Sequence, residues 1–300
     1  MQTSPEGRDP EWTIQKLLRW TSSYFASHDI ESPRMAAEIL LADSLKLERI
    51  DLYLRYDQPL VQDELRHYKT LIQRRLRREP VAYITGRREF WSMTLEVSPA
   101  VLIPRPETEC LVERALQRLP ACADTGPQRV LELGTGSGAV ILAVASERPG
   151  HGFVASDRSL AALSLAARNA RRHGLRDTVH FVCGDWFAPF NAASLQFDVI
   201  LANPPYIPSA EIRRLEPEIH RYEPLTALDG GPDGLKSIRT LVEAAPVFLK
   251  PGGHLLIEIG DRQGEAAARI ARNTGAYGEI DVDVDYSGRP RVAGMRRRAA

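Results

Sequence analysis

Apolar positions along the chain change their spacing near Pro80, and the change predicts two architectures. Before it they recur at helical intervals. Ile14, Leu17, Leu18, Thr21, Tyr24 and Phe25 share one face of a first helix opened by Asp9 and Pro10. Ser32-Pro33 opens a second helix with Met35, Ala36, Ile39, Leu40 and Ala42 as its apolar positions. Leu65, Tyr68, Ile72 and Leu76 stripe a third, over residues 62–78. The expectation is a small helical bundle over residues 11–79, preceded by a disordered polar tail, 1–10. Phe90-Trp91 and Leu95-Glu96-Val97 predict a hairpin in the connection 80–104. Beyond it, apolar runs of strand length at 130–133, 152–156, 179–183, 197–202 and 254–259 alternate with helical stretches at 139–145, 160–173, 235–249 and 263–273. Two further strands, 280–284 and 291–295, end the chain. Such alternation predicts an α/β fold for residues 105–300: a doubly wound, mostly parallel, seven-stranded Rossmann-like sheet with helices on both faces.

Composition changes this picture little. Lys plus Arg and Asp plus Glu both number 39, so the net charge is zero and no global field gathers phosphate backbones. Direct nucleic-acid binding is therefore not the default expectation. Arg74, Arg75, Arg77 and Arg78 form a local basic cluster that suits either a solvated helix face or an acidic partner or RNA. Cys110, Cys122 and Cys183 are odd in number and widely spaced, which suits a reducing compartment and suggests no metal site. No basic start with an apolar segment behind it opens the chain, and no apolar run is long enough to span a bilayer. A soluble, cytoplasmic protein is expected, with no membrane partner.

Candidate chemistry collects at the carboxyl ends of the predicted strands, where open α/β sheets bind ligands. The strand 197–202 runs into Asn203-Pro204-Pro205-Tyr206, and two prolines forbid its continuation. An Asn amide there both donates and accepts. With the Pro204 carbonyl and the flat Tyr206 wall it makes a notch for a planar group carrying an NH2, an amide or an exocyclic base amine. The same four residues also fit a plain strand-ending turn with an exposed tyrosine. The strand 130–133 leads into Gly134-Thr135-Gly136-Ser137-Gly138, whose glycines allow a tight turn and close ligand approach at a helix N-terminus. Asp157 ends the next strand about twenty residues on, where an acid binds the two ribose hydroxyls of an adenosine cofactor. Asp185-Trp186 follows the strand 179–183; the acid suits an adenine amine and the Trp its face, although Trp186 also suits plain core. The proline-bounded Val101 to Glu109 reads as a rigid cover or as a linker ending in a helix cap. The segment 209–234, with Tyr222-Glu223-Pro224 and Leu228-Asp229-Gly230-Gly231, is long and irregular enough to be functional. A dinucleotide dehydrogenase would use the glycine turn and the acid but leave the Asn-Pro-Pro-Tyr notch idle, and the G-x-G-x-G spacing departs from its fingerprint. A methyltransferase using S-adenosylmethionine employs all three features.

On these residues the chain resembles the protein-glutamine methyltransferase family that modifies peptide chain release factors. The resemblance covers nearly everything after the polar tail. It rests on Pro80-Val81-Ala82-Tyr83-Ile84-Thr85-Gly86, Leu102-Ile103-Pro104-Arg105-Pro106-Glu107-Thr108-Glu109, Leu133-Gly134-Thr135-Gly136-Ser137-Gly138, Asn203-Pro204-Pro205-Tyr206-Ile207, Tyr222-Glu223-Pro224 and Gly288-Arg289-Pro290-Arg291. Leu131-Glu132-Leu133 stands where many relatives carry Leu-Asp-Leu. The resemblance implies methylation of the side-chain amide of the glutamine in the Gly-Gly-Gln loop of bacterial-type release factors. It further implies that Gly134 to Gly138, Asp157, Trp186 and Asn203 lie on or beside the cofactor, and that Asn203 to Tyr206 hold the glutamine. No catalytic base is expected. The helical bundle is expected to recognise the protein substrate. Two rivals are an adenine-specific DNA amino-methyltransferase, which shares a similar clamp, and a non-catalytic ribosome-associated binding module.

Overall fold

The computed structural model describes residues 12–299, so the tail 1–10 and the Asp9-Pro10 helix start lie outside the described residues. The chain divides into two compact units at Gly86/Arg87.

The smaller unit contains α1 (Ile14–Ala26), α2 (Pro33–Leu45), α3 (Arg49–Leu54), α4 (Gln62–Leu76) and α5 (Val81–Thr85). Thr13 caps α1, its hydroxyl accepting from Lys16 N. The three long helices match the expected ones, and α3 and α5 add to them. The inward face of α2 departs from expectation. Met35 is exposed, while Ala36, Ala37, Leu40 and Leu41 are buried together with Glu38. The carboxylate of Glu38 accepts from Arg34 Nε at 2.9 Å, from Arg49 Nη2 at 2.7 Å and from the Tyr53 hydroxyl. Burial works against its ionisation, but these three partners outweigh it and hold the carboxyl down at about 2. The basic cluster on α4 is only partly a solvated face: Arg75 is buried, Arg74 pairs with Glu79, and Arg78 donates to the Asp29 carbonyl.

The larger unit opens with the hairpin β1 (Arg87–Phe90) and β2 (Met93–Glu96), then α6 (Glu109–Arg118) and the short α7 (Cys122–Thr125). There follow β3 (Arg129–Leu133), α8 (Ala139–Glu147), β4 (Gly152–Asp157), α9 (Leu160–Arg172), β5 (Val179–Cys183) and β6 (Phe197–Ala202). The chain ends with α10 (Pro217–Tyr222), α11 (Lys236–Phe248), β7 (Leu249–Glu258), α12 (Gly264–Thr274), β8 (Tyr277–Val284) and β9 (Pro290–Arg297). The seven-stranded sheet runs β5-β4-β3-β6-β7-β9-β8, and only β9 is reversed against its neighbours. Strands of the parallel core are buried on both faces, which is why they read as continuous apolar runs. Val199 and Leu201 of β6 join one core with Val140, Leu142 and Val144 of α8. Ile200 and Ala202 join the other with Ile238, Leu241 and Val242 of α11. Each fully buried Leu or Ile contributes about 1.5–3 kcal/mol relative to exposure.

Two details depart from the sequence reading. β7 begins at Leu249, so Pro251-Gly252-Gly253 bulges out within the strand's span; pairing with β6 shifts register between Phe197 and Val199. The segment 209–234 is not wholly irregular, since it carries α10 and two 3-10 turns, Ile212–Arg214 and Leu225–Ala227. Among the described residues no helix is long and apolar enough to cross a membrane.

Candidate active site

Register alone brings the candidate residues together. Leu133 of β3 pairs with Ser156 of β4 on one side and Ala202 of β6 on the other, and Ala202 pairs with Ile257 of β7. One residue further along each strand, Asp157, Gly134, Asn203 and Glu258 therefore form a row across the carboxyl edge. The row straddles β3, the first strand of this sheet in chain order, whose two neighbours lead away in opposite directions; such a switch point opens a crevice.

A cavity of about 420 Å³ lies over this edge, within the 300–1,000 Å³ range typical of small-molecule sites. Gly134, Thr135, Gly136, Ser137, Asp157, Asp185, Trp186, Asn203 and Pro205 all line it. Its cover comes from Ala100 to Thr108 on one side and Pro224 to Ala227 on the other. Arg105 Nη2 donates to Glu223 Oε1 at 2.6 Å, joining these two segments by an ion pair. Three of the expected residues stand elsewhere. Gly138 does not reach the cavity: its φ is +83°, and a Cβ there would lie 3.1 Å from Leu142 Cδ1 and 3.3 Å from Ala166 Cβ, so it serves helix packing. Pro204 is buried and lines no described cavity, while Tyr206 lines a second, smaller cavity with Leu102, Arg105, Ile207, Ile219, Ala227 and Leu228. Asn203 lines both cavities.

Rigid supports surround the row. Asp157 Oδ2 accepts from Gly136 N at 3.0 Å and Oδ1 from Ser159 N at 2.9 Å, so one carboxylate bridges the glycine loop and the start of α9. Each of its oxygens keeps a further lone pair. Asn169, fully buried on α9, donates to the Ser137 and Glu96 carbonyls and accepts from Glu96 N, fastening both the loop and the hairpin. Trp186 holds a φ of +46°, an uncommon conformation for a bulky residue, and its ring comes within 3.5 Å of where a Gly134 Cβ would stand. It packs against the second core and lines the cavity, so the two readings of this residue are compatible. The Gly-rich turn of 228–234 also acquires a reason. A Cβ on Gly234 would meet the Tyr206 carbonyl oxygen at 2.4 Å, and one on Gly230 the Tyr206 Cα at 2.8 Å.

Two buried carboxyls face this edge. Burial pushes Glu132 up to about 8, against hydrogen bonds from the Thr135 hydroxyl and Ile141 N, with the Asp157 charge adding to the rise. Burial likewise pushes Glu258 up to about 7, opposed by Thr108, the Arg291 charge and the Tyr206 hydroxyl, which donates to Oε1 at 3.3 Å. Glu258 is absent from the sequence reading. It lies inside the predicted strand 254–259 and does not close its apolar run as Asp157 closes 152–156; its place at the carboxyl edge shows only in the pairing of β7 with β6. Thr108, which accepts from Asn203 Nδ2 at 3.3 Å, carries no such signal either.

The Glu132 shift has a sign that stability can report. A carboxyl whose folded value is raised binds its proton more tightly when folded, so its contribution weakens as pH climbs from about 4.5 to about 8. Relative to wild type, Glu132→Gln should therefore gain in melting midpoint across that window. A wild-type-minus-variant difference that stays constant with pH would show that Glu132 ionises normally.

The residues present fit an adenosine-bearing methyl donor. A glycine cradle that any Cβ would narrow, a carboxylate with spare lone pairs for ribose and an indole face converge on one cavity. A doubly wound sheet of this order with that cradle at its switch point defines an S-adenosylmethionine-dependent methyltransferase. Comparison with known proteins agrees: residues 125–287 match the family described as methyltransferase domain, and residues 16–86 match the PrmC N-terminal domain. The chain is 43% identical over 285 residues to a release factor glutamine methyltransferase of Geobacter sulfurreducens, covering 95% of this chain and 97% of that protein. It is 43% identical over 262 residues to the protein of that name in Escherichia coli, covering 87% and 91%. A solved methyltransferase from Pyrococcus furiosus shares the fold at 20% identity, with a TM-score of 0.50 over 69% of this chain and 89% of its own. The chain belongs to the release factor glutamine methyltransferase family.

Proposed function

We propose that this enzyme methylates the side-chain amide nitrogen of a release factor glutamine, the one in the Gly-Gly-Gln motif. The observation that carries the reading is the position of Asn203 at the junction of two cavities. The larger suits the cofactor; the smaller, walled by Leu102, Ile207 and Tyr206, suits the extended, mostly apolar stem of a glutamine. When bound, S-adenosylmethionine supplies an electrophilic methyl group on a sulfonium.

An amide nitrogen is a poor nucleophile because its lone pair is delocalised into the carbonyl, so the protein's contribution is orientation. The Asn203 side-chain oxygen is the acceptor assigned to the amide hydrogens, and Tyr206 flanks it; the Pro204 carbonyl, expected as a second acceptor, belongs to a buried residue that lines neither cavity. Alignment of bound reactants can supply about 7–11 kcal/mol of barrier reduction. The amide proton becomes acidic only as the nitrogen gains the methyl group, so no strong base is required beforehand. Glu258 does not face the amide in this scheme; it holds Tyr206.

A Gly-Gly-Gln tripeptide offers little to recognise, and the helical unit, which exposes Trp20, Leu54 and Tyr56, is assigned the remainder of the release factor. Labelled S-adenosylmethionine offered with intact release factor, a short Gly-Gly-Gln peptide and duplex DNA tests both assignments. Label should pass to the factor, at least about tenfold less efficiently to the peptide, and not to DNA. Transfer to DNA alone would favour the adenine-amine reading, and equal use of peptide and factor would remove the helical unit from recognition.

A further inference from the structure

An asparagine side chain has nearly the same shape whichever way its amide is turned, so hydrogen bonds decide whether oxygen or nitrogen faces a ligand. Asn203 makes its side-chain hydrogen bond to the hydroxyl of Thr108, which is buried in the turn Pro106–Thr108; Nδ2 donates to Oγ1 at 3.3 Å. A threonine hydroxyl can itself donate or accept, and so cannot make the choice alone. Glu258 makes it. An ionised carboxylate only accepts. Glu258 Oε2 is buried without a hydrogen-bond partner among the described residues, and the Thr108 hydroxyl is the nearby donor that lowers this carboxyl's proton affinity. The hydroxyl proton then points at Glu258 and its lone pair at Asn203, which leaves Nδ2 as the only amide end that Thr108 can receive. Asn203 Oδ1 is left for the cavities. The same carboxyl takes the Tyr206 hydroxyl at 3.3 Å, so both arms of the clamp are set from one buried anchor at the end of β7.

We propose that Thr108 and Glu258 are positioning residues that hold the acceptor end of Asn203 toward the substrate, making the clamp select a group that presents N–H rather than one that presents a carbonyl. The inference rests on the assignment of Asn203 as the acceptor for the glutamine amide. It gives the segment 102–109 a purpose beyond capping α6: the rigid turn delivers a hydroxyl to a strand end 95 residues away in sequence.

The test uses full-length enzyme with intact release factor in mildly alkaline buffer, where Glu258 is ionised. Thr108→Val, which keeps the shape and removes the hydroxyl, should lower kcat about tenfold, the scale of one hydrogen bond lost to a buried polar group. Its KM for the factor and its calorimetric affinity for S-adenosylmethionine should stay within about twofold of wild type. Thr108→Ser should restore kcat, and Thr108→Ala should repeat the loss if the added methyl of valine disturbs packing. In an Asn203→Ala background, Thr108→Val should cost nothing more. Wild-type kcat in both Thr108→Val and Thr108→Ala would overturn the positioning role, and so would a full additional loss on top of Asn203→Ala. If Asn203→Ala alone keeps wild-type transfer, the clamp assignment itself fails and takes this proposal with it; if only the Thr108 variants are silent, the clamp stands without its positioning residues.

Discussion

Asn203→Ala should lower methyl transfer to release factor by about 10²–10³-fold, the range seen when one preorganised hydrogen-bonding group is removed from a reacting centre. S-adenosylmethionine affinity should change by no more than about threefold. Asn203 stands one residue beyond β6 at the junction of the two cavities, with its Nδ2 occupied by Thr108. Alanine removes the remaining oxygen but leaves the glycine cradle, Asp157 and Trp186 in place. Calorimetry and single-turnover transfer measured on the same preparation separate the two effects. Loss of cofactor binding with no separate loss of transfer would assign Asn203 to the cofactor instead.

Asp157→Ala should act on the other half of the site. Its carboxylate accepts from Gly136 N and Ser159 N, and its spare lone pairs suit the ribose hydroxyls. Hydrogen bonds to a charged group contribute about 1.5–3 kcal/mol each, so losing two of them should weaken cofactor binding roughly 10²-fold or more. Asp157→Asn, which keeps one acceptor, should fall between. At saturating cofactor the variant should recover most of its kcat, because nothing that orients the glutamine has changed. Unchanged affinity in Asp157→Ala would remove the ribose assignment.

What could be read from the chain beforehand follows a physical division. Strand ends were legible because apolar runs stop abruptly at Gly134, Asp157 and Asn203, and because two prolines make the exit at Asn203 unambiguous. Their meeting was legible too, since a parallel sheet places every carboxyl end on one edge. Support from distant chain segments was not. Thr108 sits among Pro106, Glu107 and Glu109, where local chemistry speaks only of a helix start, and its partner is 95 residues away. Glu258 lies within the run Leu255 to Ile259, and an acid there is marked only once β7 is known to lie beside β6. On α2, helical spacing permits either Met35 or Glu38 to face inward; the Arg34, Arg49 and Tyr53 partners of Glu38 decide it, and spacing does not encode them. The early start of β7 at Leu249 is hidden for a related reason. A Pro-Gly-Gly bulge looks like a helix stop until its pairing partner is seen.

The claim on which the rest depends is that a carboxamide nitrogen is brought to the methyl donor at Asn203. Mass spectrometry of the peptide containing Gly-Gly-Gln, cut from release factor treated with enzyme and S-adenosylmethionine, measures it most directly. The account predicts one added methyl on the glutamine side chain with wild-type enzyme and an unmodified glutamine with Asn203→Ala. A methyl group on any other residue, or a glutamine methylated equally by both enzymes, would contradict it.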